Sequence, residues 1–118
     1  MKICITSTGK KLTDKLDPRF GRCENLIIYD TDSDKFEAID NGNSEIAGGA
    51  GVQTAQAIIS KGVKAVISGS FGPNAFTTLS AAGVDMYVSK EETIKEIIKK
   101  FKDGKLKKLE QAGPSRKN

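Results

Sequence analysis

Residues 52–88 read VQTAQAIISKGVKAVISGSFGPNAFTTLSAAGVDMYV, and the fold is decided there. Val52–Lys61 carries Val52, Ala55, Ile58 and Ile59 at helical spacing, and Gly62 follows as a left-handed stop. Ala65–Ser68 is an apolar run of strand length that ends at Gly69. Pro73–Ala82 reads as a second helix, with Pro73 at its first position, Phe76 and Leu79 facing inward, and Gly83 as its stop. Val84–Val88 is again a strand. Helices alternating with short buried strands are the pattern of parallel crossovers, so the chain is an α/β protein.

Working outward, Lys2–Thr6 is a short apolar strand, followed by a long loop from Ser7 to about Glu24. Asn25–Thr31 and Lys35–Asp40 form a hairpin around the turn-rich Asp32-Ser33-Asp34. Downstream, Ser89-Lys90-Glu91-Glu92 has the capping-box pattern for a last helix. Its inner face is Ile94, Ile97, Ile98 and Phe101, and it stops at Gly104. The order β-β-β-α-β-α-β-α with right-handed crossovers gives a five-stranded mixed sheet, order 3-2-1-4-5, with only strand 2 antiparallel and three helices. One domain is expected over residues 1–104. Residues 105–118, patterned only at Leu106 and Leu109, are expected to be a basic, flexible tail.

In that sheet order the connections leave in opposite directions between strands 1 and 4, a switch point where ligands favour the carboxyl edge. Three segments converge there: the loop Ser7–Arg22, the loop Asn41–Gly51 and the turn Ser70–Pro73. One site is expected.

Composition narrows its chemistry. The 118 residues contain no histidine, which excludes Ser-His-Asp and Cys-His catalysis and imidazole-based zinc sites. The two cysteines, Cys4 and Cys23, form no C-x-x-C and no four-cysteine cluster site within one chain. No acidic residue stands in strand 1 to hold a metal for nuclease chemistry. The chain is 37% hydrophobic and 29% charged, as folded proteins are. No apolar run approaches the ~18 residues that span a bilayer, and no signal-peptide core follows Met1, so a cytoplasmic location is expected. Residues 1–89 hold 9 Lys/Arg against 10 Asp/Glu, and residues 90–118 hold 10 against 5. The net charge of +4 therefore belongs to the last helix and tail. No aromatics are interleaved there for base stacking, so a nucleic-acid partner is not expected.

The converging loops carry three notable motifs. Gly48-Gly49-Ala50-Gly51 runs into a helix start, where close-approaching N–H groups and the helix dipole favour an anion. It is neither a dinucleotide fingerprint nor a P-loop, and tight helix packing is an equally good reason for the glycines. In Pro18-Arg19-Phe20-Gly21-Arg22-Cys23 two arginines three apart can form a fork of donors around an oxyanion or thioanion. Alternatively Phe20 fills the core and the arginines pair with Asp14, Asp17 or Glu24. Cys23 is a candidate sulfur ligand whose pKa the arginines would lower, or an inert core residue; Cys4 is core. Ser70-Phe71-Gly72-Pro73-Asn74 places a second helix start nearby.

PRFGRC at 18–23, AGGAGVQTAQ at 47–56 and SGSFGPNAF at 68–76 resemble the dinitrogenase iron–molybdenum cofactor biosynthesis family, in order and spacing, over about residues 1–104. The match is to its small stand-alone, orange-protein-like members. The resemblance implies a ribonuclease H-like fold without nuclease chemistry. It also implies a non-enzymatic role in carrying or inserting an anionic metal–sulfur cluster, of iron–molybdenum or molybdenum–copper type, or its precursor. No nucleotide cofactor is implied. The partners implied are the cluster or precursor and a donor or recipient protein, with no membrane. The binding region it implies is Arg19, Phe20, Gly21, Arg22, Cys23, Gly48, Gly49, Ala50, Gly51, Gln53, Phe71, Gly72 and Asn74, with Cys23 the one candidate metal ligand. Some carriers of the family use a histidine ligand, which this chain lacks, leaving non-covalent binding or ligation by Cys23. The alternative is a small anion- or nucleotide-binding regulatory module using the same glycine-rich edge.

Overall fold

The computed structural model describes residues 1–42 and 49–110. The elements are β1 (Lys2–Ser7), β2 (Asn25–Asp30), β3 (Phe36–Asp40), α1 (Ala50–Ser60), β4 (Val63–Ser68), α2 (Pro73–Ala81), β5 (Asp85–Val88), α3 (Ile94–Lys102) and β6 (Lys107–Lys108). The sheet order is β3-β2-β1-β4-β5-β6. β2 is antiparallel to β1 and β3, and β4 and β5 run parallel to β1, as the crossover rule requires.

Side chains alternate across the central strands, and each face finds its own helices. Cys4, Leu26, Ile28 and Val66 face one layer with Ala55 and Ile58 of α1 and Ala75 and Leu79 of α2. Ile3, Ile5, Ile27 and Ile67 face the other with Ile94, Ile97 and Ile98 of α3. A fully buried side chain of that size contributes about 1.5–3 kcal/mol. The exposed pair Lys99–Asp103 contributes about 0–1 kcal/mol and Lys100–Glu92 is only part-buried, so the isoleucines more than the charges hold α3 down.

Three local readings change. The sheet has six strands instead of five, because Lys107–Lys108, from the stretch expected to be a tail, pair antiparallel with Tyr87 and Val88. Leu106 and Leu109 flank that pair and pack on the α3 side and the α1/α2 side, one into each core layer. The helical cap also moves. Thr93 is the N-cap of α3; its hydroxyl accepts from Glu96 N, and Glu96 Oε1 accepts from Thr93 N. The residues just before Thr93 are not helical, and they hold the loop after β1. Leu16 N donates to Glu92 O at 3.0 Å, and Lys15 and Thr93 form a bridge. Finally, α1 begins at Ala50, so Gly49 is its N-cap and Gly51 stands in its first turn. No helix among the described residues is long and apolar enough to cross a membrane.

A chain ending after Gly104 should unfold at a lower temperature than one ending after Glu110, since only the latter keeps β6 and the two flanking leucines. With about 4–8 °C per kcal/mol for a domain near this size, a drop of at least about 5 °C is expected. Thermal denaturation followed by circular dichroism measures it; equal midpoints would show that β6 adds nothing.

Candidate functional site

At the carboxyl edge, β1 and β4 are stitched to the loop that follows β1. Asp17 N donates to Thr6 O at 3.0 Å, and Thr6 Oγ1 donates back to Asp17 O at 2.6 Å. The same hydroxyl lies 2.9 Å from Ser68 Oγ at the end of β4. Gly69 then leaves room for Pro18: a Cβ there would fall 2.6 Å from Pro18 Cβ and 2.7 Å from its Cα. Ser70 completes the join. Its hydroxyl donates to Pro18 O at 3.0 Å, and its carbonyl accepts from Phe20 N at 3.4 Å.

The segment Arg19–Arg22 is a β-turn closed by Arg22 N donating to Arg19 O at 3.1 Å. Gly21, at its third position, has φ 92°, the conformation a type II turn demands there. The turn sits on the first turn of α1 with backbone against backbone: a Cβ on Gly21 would meet Gly51 Cα at 2.7 Å and Gly51 N at 2.8 Å. Phe20 and Phe71 are buried and stack with centroids 5.3 Å apart at 31°. The pair joins the turn to the loop before α2.

A cavity of about 200 Å³ opens between these parts, lined by Phe20, Gly49, Gly51, Gly72, Pro73 and Asn74 among others. The starts of α1 and α2 both meet it. Neither N-cap, Gly49 or Gly72, offers a capping side chain, and neither first turn holds an acidic residue. Two sets of unclaimed N–H donors and two positive dipole ends therefore face one small space. Larger clefts exist, such as one of about 310 Å³ bordered by Glu92, Glu96, Lys99, Lys100, Asp103 and Lys105. That one is a groove of mixed charges on the outside of α3, and its size alone gives it no chemistry.

The expected residues divide into groups. Phe20, Gly49, Gly51, Gly72 and Asn74 line the cavity; Gly21, Ala50 and Phe71 pack directly behind those lining groups. Gln53 is exposed on α1 away from the lining, and Gly48 lies outside the described residues. Arg22 is exposed at the end of the turn. Arg19 does not act as half of an open fork. Its backbone N donates to Asp17 Oδ1 at 3.0 Å, and its Nε and Nη2 donate to the two Asp17 oxygens at 3.3 Å. Asp17 is itself buried, so Arg19 is held as an ion pair beside the site.

Of the two readings of Cys23, ligand and inert core residue, its position fits the second. It is fully buried in the α1/α2-side core, and burial, with the Asp17 charge adding to it, pushes its thiol up to about 11. The arginines do not lower it. Desolvation outweighs them because the sulfur points inward while the guanidinium groups stand in solvent. Among the described residues no cluster of three or more Cys, Asp or Glu could hold a metal ion.

Asn41 was missed in the sequence, where it reads as an ordinary loop residue after a strand. It is 5% exposed; its Nδ2 donates to Gly21 O at 3.1 Å and to Cys23 O at 2.9 Å. Thr54 of α1, also buried, donates to Asn41 Oδ1 at 3.1 Å.

The raised Cys23 pKa makes a pH prediction. Below about pH 9 the thiol is protonated folded or unfolded; as pH rises from about 9 to 11 the unfolded chain releases the proton first, so stability falls. Two units correspond to roughly 2–3 kcal/mol at about 1.4 kcal/mol per unit. Urea denaturation across that range should show a shallower decline in Cys23→Ala than in the native chain; parallel slopes would mean that the thiol ionises freely.

Comparison with known proteins places this geometry. The sequence profile of the family described as dinitrogenase iron–molybdenum cofactor matches residues 1–104. An uncharacterized protein of Methanocaldococcus jannaschii is 35% identical over 100 residues, 82% of this chain and 85% of that protein. The structure of the apo form of the orange protein from Desulfovibrio gigas superimposes with a TM-score of 0.91 at 31% identity, covering 95% of each chain. A DUF35-family protein from Thermotoga, solved by NMR, gives a TM-score of 0.81 at 38% identity, covering 95% of this chain and 98% of its own. By sequence and by fold, the chain belongs to the dinitrogenase iron–molybdenum cofactor family.

Proposed function

We propose that this protein is a non-enzymatic cytoplasmic carrier or insertion factor. Its cargo is an anionic metal–sulfur cluster, of iron–molybdenum or molybdenum–copper type, or a precursor of one. The observation that carries the reading is the meeting of two uncapped helix starts, α1 at Gly49 and α2 at Gly72, over one cavity beside the Arg19–Cys23 turn. Family membership supplies the class of cargo.

The chemistry suits a polyanion with peripheral sulfur or oxygen acceptors. Backbone N–H groups at Gly49–Gly51, and at Gly72 and Asn74 on either side of Pro73, which has none, would supply fixed donors, and Phe20 an apolar wall. Dipole ends of this kind contribute typically about 0.3–1 kcal/mol each. Arg22, exposed at the end of the turn, would add its positive charge, and Arg19 is paired with Asp17. Cys23, buried and protonated, would make no bond to the metal. A cargo held by donors alone can be passed on to a recipient protein without breaking a covalent bond.

Loss of a charge-assisted contact costs roughly 1.5–3 kcal/mol, or about ten- to a hundredfold in affinity. Arg22→Ala should therefore weaken binding of an anionic molybdenum–sulfur cluster at least tenfold, and Cys23→Ser should weaken it less. Anoxic titration followed by visible absorption, at two salt concentrations, gives the comparison. If Cys23→Ser abolishes the chromophore and Arg22→Ala leaves affinity untouched, sulfur ligation is the mechanism and the donor-held reading is wrong. If the native chain binds phosphate or a nucleotide and no thioanion, it is a regulatory module.

A further inference from the structure

Ser70, Phe71 and Gly51 hold the front of the turn at residues 19–22, and behind it a single residue takes several of its carbonyls. Asn41 follows β3, where the ladder with β2 has ended at the pair Asn25–Asp40. Its main-chain N donates to Glu24 O at 2.9 Å, and its side-chain amide donates to Gly21 O and Cys23 O. Carbonyls at 21, 23 and 24 are thus all taken by a single residue. The amide orientation is forced, because carbonyl oxygens only accept and the NH₂ group must face them. Its oxygen is left toward α1, where the Thr54 hydroxyl donates to it.

These bonds join three parts that the sheet alone does not join: the end of β3, the turn, and α1. They lie behind the close contact of Gly21 with Gly51, which carries no hydrogen bond of its own among those described. We infer that Asn41 is a positioning residue that locks the 19–23 turn onto the first turn of α1 and thereby fixes where Arg22 stands. The lock follows from the contacts alone; its consequence for cargo rests on the carrier reading above.

The two free cysteines provide an internal comparison. Both are fully buried in the same core layer, Cys4 in the central strand β1 and Cys23 at the end of the turn. Global unfolding exposes both, whereas release of the turn exposes Cys23 alone. Under native conditions, Asn41→Ala should raise the ratio of Cys23 to Cys4 modification by a maleimide at least tenfold, mapped by mass spectrometry. Thr54→Val, which removes only the orienting bond, should raise it several-fold, and it serves alone if Asn41→Ala does not fold. Equal acceleration of both cysteines, or of neither, overturns the lock.

A cycle of variants then reads Arg22, with tetrathiomolybdate as the probe under anoxic conditions. Arg22→Ala should cost at least tenfold in affinity in the native chain and less than about twofold beside Asn41→Ala or Thr54→Val, because a displaced turn has already lost the contact. Additive losses overturn the claim that Asn41 fixes Arg22. If the thiol ratio rises as expected while tetrathiomolybdate binds nowhere, or binds without regard to Arg22, the lock stands and the carrier reading falls.

Discussion

β1 has to satisfy two neighbours of opposite sense, and the rest of the molecule is arranged around that demand. On one side it pairs antiparallel with β2 from Lys2–Asp30 to Ser7–Asn25; on the other it pairs parallel with β4. An antiparallel partner can return through a loop on the edge, but a parallel one needs a crossover helix. The chain therefore leaves β1 toward β2 and β3, and comes back to β4 only through α1. Above the carboxyl end of β1 the two excursions part, and neither fills the space between them. The cavity beside Phe20 lies in that gap.

What closes the gap down to a small volume is backbone contact. Gly21 lies against Gly51, and Gly69 against Pro18, both at distances that no Cβ could share. These glycines bring the turn and the loop after β4 within reach of the two helix starts. The sequence reading treated the glycine-rich stretch as either a ligand cradle or a packing device. The structure divides it residue by residue: Gly51 faces both Gly21 and the cavity, while a Cβ on Gly49 would meet nothing. Gly49 has φ 71° and serves as the N-cap, so its own requirement is conformational.

The parts legible in the sequence were those with a periodic signal. Apolar runs of strand length and helices of period 3.6 gave the order of β1 to β5 and the three helices between and after them. β6 was not legible because a two-residue strand of Lys107 and Lys108 has no period. Its sign was the odd spacing of Leu106 and Leu109, which puts one on each face of the sheet. The capping box read at Ser89 gave way to one at Thr93, because the Glu92 carbonyl accepts from Leu16 N, a contact distant in sequence. At the site, residue types suggested the loops, but not which side chains turn inward. Cys23 is buried and Asn41 is a core residue, both through contacts distant in sequence, whereas Arg19 is claimed by Asp17 only two residues away.

These inward and outward choices decide which groups are left to face the cavity. Catalysis by a side chain needs a titrating group near the reacting atoms with a pKa close to working pH. The chain has no histidine, the nearby thiol is held protonated by burial, and the buried Asp17 is engaged by Arg19. The cavity itself is lined by Phe20, Gly49, Gly51, Val52, Gly72, Pro73, Asn74 and Ala75, none of which titrates. On the carrier reading its main-chain N–H groups would stabilise charge on a guest, with a donor strength that does not change with pH. On that reading it would hold an anion equally well across the pH range in which the fold persists, and its affinity would be tuned by Arg22 and by salt.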